Sequence, residues 1–285
     1  MKPRLLIGSL AVAVSALLFM GNLRAEEVEQ HDLTFATLWM QTSVEFQGHA
    51  LGTYRAAEMM LDRALADRNW TAAPAEQTGD YANKPPAVIL DIDETVLDNS
   101  AYQVWMLKNG KSFNPKSWGK FVNDVMSTPI AGSLEFSKVA AEKGVKVFYV
   151  SNRTGDLEEA TRKNLEKYGY PMGGNVDTVI LKKERPEWKS SKKGVRRAYI
   201  AKDYRVLMIV GDNFGDFVDG YKGSVSERQT LFEDHSDMWG TKWIVLGNPS
   251  YGSFSSAPFG HNWKKSSAEK RAAILDSMNG WTPKE

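Results

Sequence analysis

The stretch Val88-Ile89-Leu90-Asp91-Ile92-Asp93-Glu94-Thr95 constrains this chain more than any other. An apolar run of this kind reads as a buried strand, and two aspartates separated by one residue sit where it ends. In an open α/β sheet, ligands and chemistry collect just past the carboxyl ends of strands. Two carboxylates at one strand end repel each other unless a cation or a shared proton holds them. Asp is also an ordinary turn residue, so a lone Asp-x-Asp would read as a strand-to-turn junction. The added Thr95 makes the pattern sharper and points to catalysis.

The pattern recurs. Val147-Phe148-Tyr149-Val150 opens into Ser151-Asn152-Arg153. Val206-Leu207-Met208-Ile209-Val210 opens into Gly211-Asp212-Asn213-Phe214-Gly215-Asp216. Residues 178–181 and 243–246 supply two more short apolar strands. Helical signals lie between them. Ser133 is placed to cap a helix that stops at Gly144, and Asp156 to cap one ending near Gly169. Ser266-x-x-Glu269 opens a last helix that stops at Gly280. Strands alternating with helices imply an α/β fold, a doubly wound parallel sheet with helices on both faces.

Two segments stand outside this alternation. Phe35, Leu38, Phe46, Ala50, Tyr54, Ala57, Leu61 and Leu65 recur at helical spacing. They predict an amino-terminal helical segment within 32–70 that packs on the core, with Gly48 and Gly52 weakening or bending it. Residues 71–86, rich in Ala, Gly and Pro, read as a loop. Residues 102–130 hold Trp105, Phe113 and Trp118 among polar residues, and read as a small cap inserted over the end of the first strand.

Residues 1–25 read as a secretory signal. Lys2 and Arg4 form the charged start, residues 5–20 an uncharged apolar run, and Leu23-Arg24-Ala25 offers a small residue at a cleavage site. A retained membrane anchor is the alternative, and the run is short for one. The expected mature chain, 26–285, drops from 36 basic residues to 33 against 35 acidic, a balance of −2. A nucleic-acid surface would be strongly basic, so nucleic acid is not an expected partner. The chain has 0 Cys, which excludes disulfides, cysteine-ligated zinc and lipid attachment through a cysteine. The expected location is periplasmic or secreted, with no transmembrane helix once the signal is gone. His31, His49, His235 and His261 show no metal-binding spacing and read as structural or surface residues.

The order of the strand-end groups resembles the haloacid dehalogenase (HAD) superfamily of phosphatases. Ile89-Leu90-Asp91-Ile92-Asp93-Glu94-Thr95-Val96-Leu97-Asp98-Asn99, with Tyr102 just beyond, resembles the first signature of the bacterial class C non-specific acid phosphatases. Val210-Gly211-Asp212-Asn213-Phe214-Gly215-Asp216-Phe217 resembles their second, with Phe214 where leucine is usual. Leu38-Trp39-Met40-Gln41-Thr42-Ser43 is similar to that family's amino-terminal helix. The resemblance covers nearly the whole expected mature chain.

The resemblance implies an acid phosphatase or 5′-nucleotidase. Asp91 would be the nucleophile that forms an aspartyl-phosphate. Asp93 would be the acid for the leaving group and then the base for water. In this superfamily the second aspartate is typical of phosphoryl-transfer members and absent from dehalogenases. Mg²⁺ is the implied cofactor, held by Asp91, the Asp93 carbonyl and Asp212, with Asp216 supporting it from nearby. Ser151 would bind a phosphoryl oxygen. Lys193 would neutralise phosphate charge and hold the nucleophile, with Lys192 the near alternative. Phe113, Trp118 and Tyr251 fall at positions flanking the site, where rings can stack on a nucleobase or an aryl leaving group. Otherwise these rings form the small core of the insertion. The implied partners are small phosphate monoesters, nucleotides and aryl phosphates; a homodimer is left open. Two alternatives share the scaffold: a phosphotransferase with the same intermediate, and a non-catalytic surface binding protein.

Overall fold

A computed structural model describes residues 32–283, so the signal-like segment 1–25 and His31 lie outside the described residues. Helices α1 (Thr34–Thr42) and α2 (Val44–Ala66) come first. The break between them falls at Ser43 and not at either glycine. Ser43 has an extended backbone (φ −80°, ψ 133°), and its side chain caps α2 by accepting from the Phe46 N–H at 3.0 Å. Gly48 and Gly52 sit inside α2 with open space around them. Phe46, Ala50, Tyr54, Ala57 and Leu61 are buried as the periodicity requires, whereas Phe35 and Leu38 of α1 are exposed.

After the loop comes β1 (Pro86–Leu90), then β2 (Leu97–Asp98), α3 (Ser100–Lys108), α4 (Pro115–Asn123) and β3 (Thr128–Pro129). β2 and β3 pair antiparallel, so α3 and α4 rise from a short two-stranded base. Then follow α5 (Ser133–Glu142), β4 (Lys146–Thr154), α6 (Glu158–Tyr168), β5 (Val179–Lys182), α7 (Gly194–Ala201) and β6 (Arg205–Gly211). α8 (Phe214–Phe217), α9 (Val225–Glu233), β7 (Trp243–Val245), α10 (Ser253–Ser256) and α11 (Ser267–Asp276) complete the described chain.

Two of the expected caps are corrected. Gly132, not Ser133, caps α5: it has φ 85°, and a Cβ there would lie 3.0 Å from the Tyr54 Cβ. The Ser133 hydroxyl instead donates to the Ile130 carbonyl at 2.7 Å. Asp156 lies in a 3₁₀ turn (Gly155–Leu157) ahead of α6 and makes no cap bond. Gly169 does end α6 in a left-handed conformation, and Ser266 with Glu269 forms the capping box of α11.

The main sheet runs in the order β5-β4-β1-β6-β7, and every adjacent pair is parallel. Side chains alternate across it. Val88, Leu90, Tyr149, Leu181 and Val210 pack with α2, α5 and α6 on one face. Ile89, Phe148, Val150, Ile180 and Ile209 pack on the other with Ile200 of α7 and with Trp188, which precedes that helix. Apolar residues on both sides explain why these strands read as continuous hydrophobic runs. The chain leaves β1 toward β4 and β5, then crosses back to β6 on β1's other side. That reversal opens a crevice past the carboxyl ends of β1, β4 and β6.

Candidate active site

Asp91 follows β1 directly and is buried. Its N–H donates to the Val210 carbonyl at 2.9 Å, which extends the ladder and fixes the residue at the crevice. Lys193 stands immediately before α7, and its side chain is 4% exposed. Its ammonium pairs with Asp91 and lies 2.6 Å from Asp216 Oδ1. Asp216 is held in turn by its place in α8, where Oδ2 accepts the Asn213 N–H at 2.9 Å. Asp212, just past β6, accepts from Asn248 Nδ2 at 2.8 Å and from Thr95 Oγ1 at 3.4 Å. Gly211 makes the crowding possible: a Cβ there would fall 2.6 Å from the Asp216 Cβ. Lys192 is exposed, and of the two lysines Lys193 reaches Asp91.

Carboxylate oxygens of Asp91, Asp212 and Asp216 lie within 4.8 Å of one another. The Asp91 carboxyl is raised to about 7, chiefly by burial, against the opposing pull of Lys193 and with the Asp216 and Asp93 charges adding to the rise. Asp212 is raised well above its ordinary range, first by burial and then by Asp216 and Asp91. Burial alone would lower Lys193, but the Asp216 and Asp91 charges outweigh it and hold the ammonium above the usual lysine value. A cluster of hard oxygen donors, short of positive charge, suits a divalent cation such as Mg²⁺. Among the described residues this is the metal-capable cluster, and it holds no histidine. His235 packs on Trp243, and His261 bonds Ser256.

Asp93 is tied down separately. Its Oδ1 accepts from Asn99 Nδ2 and Arg153 Nε, both at 2.9 Å. Its Oδ2 accepts from Ser151 Oγ at 3.2 Å. Ser151 and Arg153 both come from β4, whose ladder with β5 is irregular between Ser151 and Thr154. The Arg153 side chain is 1% exposed, and its guanidinium carbon lies 5.5 Å from the Trp118 ring centroid. One arginine thus links Asp93 to α4. Arg196 donates to the Ser151 carbonyl and, at 2.6 Å, to Asn152 Oδ1. Sequence reasoning gives Asn99, Arg153 and Arg196 no role. Their signal is position: Asn99 and Arg153 sit at strand ends and Arg196 in the first turn of α7.

Glu94 also escapes a sequence reading. It is 1% exposed and has φ 57°, a left-handed backbone unusual for a side chain of this size. Its carboxyl accepts the Asn99 N–H at 2.9 Å and the Tyr251 hydroxyl. Burial holds that carboxyl well above the usual range, with Asp93 and Asp212 adding to the effect. Tyr251 therefore reaches the Asp93 loop through its hydroxyl while its ring stays partly open to solvent. Phe113 is 62% exposed. Trp118 packs edge-on against Tyr102 at 5.3 Å and stacks with Phe121 at 5.6 Å.

A switch-point crevice carrying an Asp-x-Asp strand end, a buried lysine and a second acidic loop defines the HAD type of phosphatase site. Residues 15–254 match the model of the HAD superfamily, subfamily IIIB (acid phosphatase), and the chain belongs to that family. Among solved structures it is similar to the class C acid phosphatase from Bacillus anthracis with tungstate bound. That match has 33% identity and a TM-score of 0.76, covering 87% of this chain and 97% of that one. A second structure of the Bacillus anthracis enzyme gives a TM-score of 0.74 at the same identity. Curated proteins it is similar to include plant proteins. A stem 28 kDa glycoprotein of Glycine max is 28% identical over 139 residues, 47% of this chain and 54% of that protein. Vegetative storage protein 1 of Arabidopsis thaliana is 24% identical over 147 residues, 48% of this chain and 51% of that protein. The chain spans about half the length of the curated relatives it matches. Among the described residues, no helix is long and apolar enough to cross a membrane.

Proposed function

We propose that this chain is a Mg²⁺-dependent phosphomonoesterase that works through an aspartyl-phosphate and takes nucleoside 5′-monophosphates and aryl phosphates. The observation that carries the reading is Lys193, buried between Asp91 and Asp216 at the carboxyl edge of the sheet. A lysine so placed shields the nucleophile from its acidic neighbours and offers charge to an incoming phosphate.

In the first step a carboxylate oxygen of Asp91 attacks phosphorus and the ester P–O bond breaks. Asp93 gives a proton to the departing alcohol oxygen. In the second step Asp93 takes a proton from water, the water oxygen attacks phosphorus, and inorganic phosphate leaves with Asp91 restored. Arg153 and Asn99 orient Asp93 for both transfers. Ser151 Oγ, which donates to Asp93 here, turns to a phosphoryl oxygen when substrate enters. Asp91, Asp212 and the Asp93 carbonyl would hold Mg²⁺ with Asp216 behind them, and bound Mg²⁺ supplies positive charge against the phosphate oxygens. The tungstate in the Bacillus anthracis enzyme, a tetrahedral oxyanion, supports a phosphate-shaped site. Phe113, Trp118 and Tyr251 offer rings to a nucleobase or aryl group. The signal-like segment supports a periplasmic or secreted location.

The test is phosphate release from p-nitrophenyl phosphate and AMP, with and without EDTA. Asp91→Asn lowers release by about 10³-fold or more while the protein stays folded. Turnover retained in that variant would remove Asp91 as nucleophile. The storage-protein names among the relatives favour a second reading, a scaffold without catalysis. No release from any monoester by the unaltered protein would establish that reading instead.

A further inference from the structure

Residues 182–197 hold eight basic and two acidic residues, in a chain with 36 basic and 35 acidic overall. Four of the eight have clear work. Lys193 bridges Asp91 and Asp216, Arg196 holds Ser151 and Asn152, and Arg197 pairs with Glu76 at 2.6 Å. Arg185 lies over the Trp188 and Tyr199 rings at 4.6 and 4.3 Å. Lys182, Lys183, Lys189 and Lys192 make no ion pair among the described residues, and neither does Lys222. The nearby carboxylates Glu184, Asp219 and Asp177 form no ion pair with these lysines. Glu184 accepts the Leu181 N–H at 2.8 Å, Asp219 accepts the Gly194 N–H at 3.0 Å, and Asp177 pairs with Arg162. Glu187 is the exposed acid of the stretch.

These lysines stand on the sheet edge that carries Asp91. Lys182 ends β5 in register with Thr154 of β4. Two strand spacings, about 10 Å, separate β5 from β1. Lys222 Nζ lies 3.4 Å from Ser191 Oγ, which brings it to the loop before α7. Burial, and then the charges of Lys183, Arg196 and Lys222, hold the Lys182 ammonium below its usual range. A Cβ on Gly155 would lie 3.0 Å from the Glu184 Cα, and one on Gly119 of α4 would lie 3.7 Å from Leu157. The cap helix, the turn after β4 and the lysines are thus successive neighbours along this edge.

We propose that Lys182, Lys183 and Lys222, with Lys192 beside them, form a subsite for a second phosphate on the substrate, so that bisphosphorylated small molecules are the favoured class. The subsite rests on the phosphomonoesterase reading. A nucleoside or sugar with a phosphate at each end covers the distance from Asp91 to this rim. Like charges crowded without a counter-charge are relieved when an anion enters among them.

The test compares kcat/KM for adenosine 3′,5′-bisphosphate and for AMP, using the full chain with Mg²⁺ at low and high salt. The expected preference for the bisphosphate is about tenfold at low ionic strength, and it shrinks as salt screens the lysines. The triple variant Lys182→Gln, Lys183→Gln, Lys222→Gln brings the ratio to about one. A ratio unmoved by the substitutions, or by salt in the unaltered protein, overturns the subsite. Absence of phosphate release from both AMP and the bisphosphate in the unaltered protein overturns the phosphatase reading, whereas equal turnover of the two overturns the subsite alone.

Discussion

Tyr251→Phe removes one hydroxyl and keeps the ring. If Tyr251 is only a platform for a nucleobase, this change is silent, because stacking needs no hydroxyl. The structure gives the hydroxyl a partner in Glu94, a side chain 1% exposed whose other carboxyl oxygen is taken by the Asn99 N–H. Without it, one oxygen of Glu94 has no donor. Stranding a buried polar group costs about 1–3 kcal/mol. Tyr251 is 37% exposed, so water reaches part of the gap and about 1–2 kcal/mol is expected. For a chain of this size that lowers Tm by about 2–8 °C. A kinetic effect accompanies it. Glu94 holds a left-handed backbone next to Asp93, and loosening it lets the acid drift from its partners. We expect kcat to fall about three- to tenfold with KM for AMP within about twofold. Thermal melting and steady-state kinetics on AMP and p-nitrophenyl phosphate measure both. A variant that melts with the parent and keeps its kcat would show that the Glu94 contact does nothing and leave the ring alone in charge of Tyr251's role.

Three further outcomes follow from the same geometry. Lys193→Met leaves Asp91 and Asp216 facing each other in a buried site; urea denaturation of the metal-free protein should show a loss of about 3 kcal/mol, and a loss under about 1 kcal/mol would contradict the buried pairing. Gly132→Ala forces a Cβ within 3.0 Å of Tyr54 at φ 85° and should cost about 1–3 kcal/mol by denaturant melting, with KM for AMP unchanged. Metal binding should stabilise the protein more as pH rises. The metal-free Asp91 carboxyl sits at about 7, above its unfolded value of 3.8. A raised carboxyl contributes stability at low pH that is lost as pH climbs through that folded value. Mg²⁺ needs the ionised form, so the Tm gain on adding it should be larger at about pH 7.5 than at about pH 4.5, and equal gains would refute the assignment.

Local signals in the chain are readable and distant partners are not. An apolar run released into aspartate is a signal within one strand, which is why Asp91, Asp93 and Asp212 stand out in the amino-acid order itself. Lys192 and Lys193 cannot be separated by spacing alone; Lys193 is the residue that α7 turns toward Asp91. Arg153 sits 60 residues from Asp93, and Tyr251 sits 157 residues from Glu94, so no local pattern pairs them. The helix break at Ser43 is hidden because apolar periodicity runs on across it, although the serine is a good cap. Capping chemistry points to Ser133 and not to Gly132, because only the packing of Tyr54 from α2 demands a residue without a side chain there.

Charge balance links the centre to the rim. Three carboxylates against Lys193 leave the Asp91, Asp212 and Asp216 cluster two negative charges in excess when all are ionised. One divalent cation cancels that excess and leaves nothing over. Asp93 is balanced by Arg153, and Arg196 is engaged with Ser151 and Asn152. With a cation in place the centre is neutral apart from Arg196, so it has no positive charge to spare for a second phosphate, which must find its counter-charge outside. Lys182, Lys183, Lys192 and Lys222 are among the cations without an ion pair on that edge, and without an anion their mutual repulsion is a standing cost. A purely solvated lysine face would spread to avoid that cost, yet Lys182 is half-buried and stays. Salt dependence separates the two cases. Screening weakens a second-phosphate contact at the exposed rim far more than the buried contacts at Asp91. A subsite therefore shows as a preference that salt erodes while AMP turnover holds, and a solvated face shows no preference to erode.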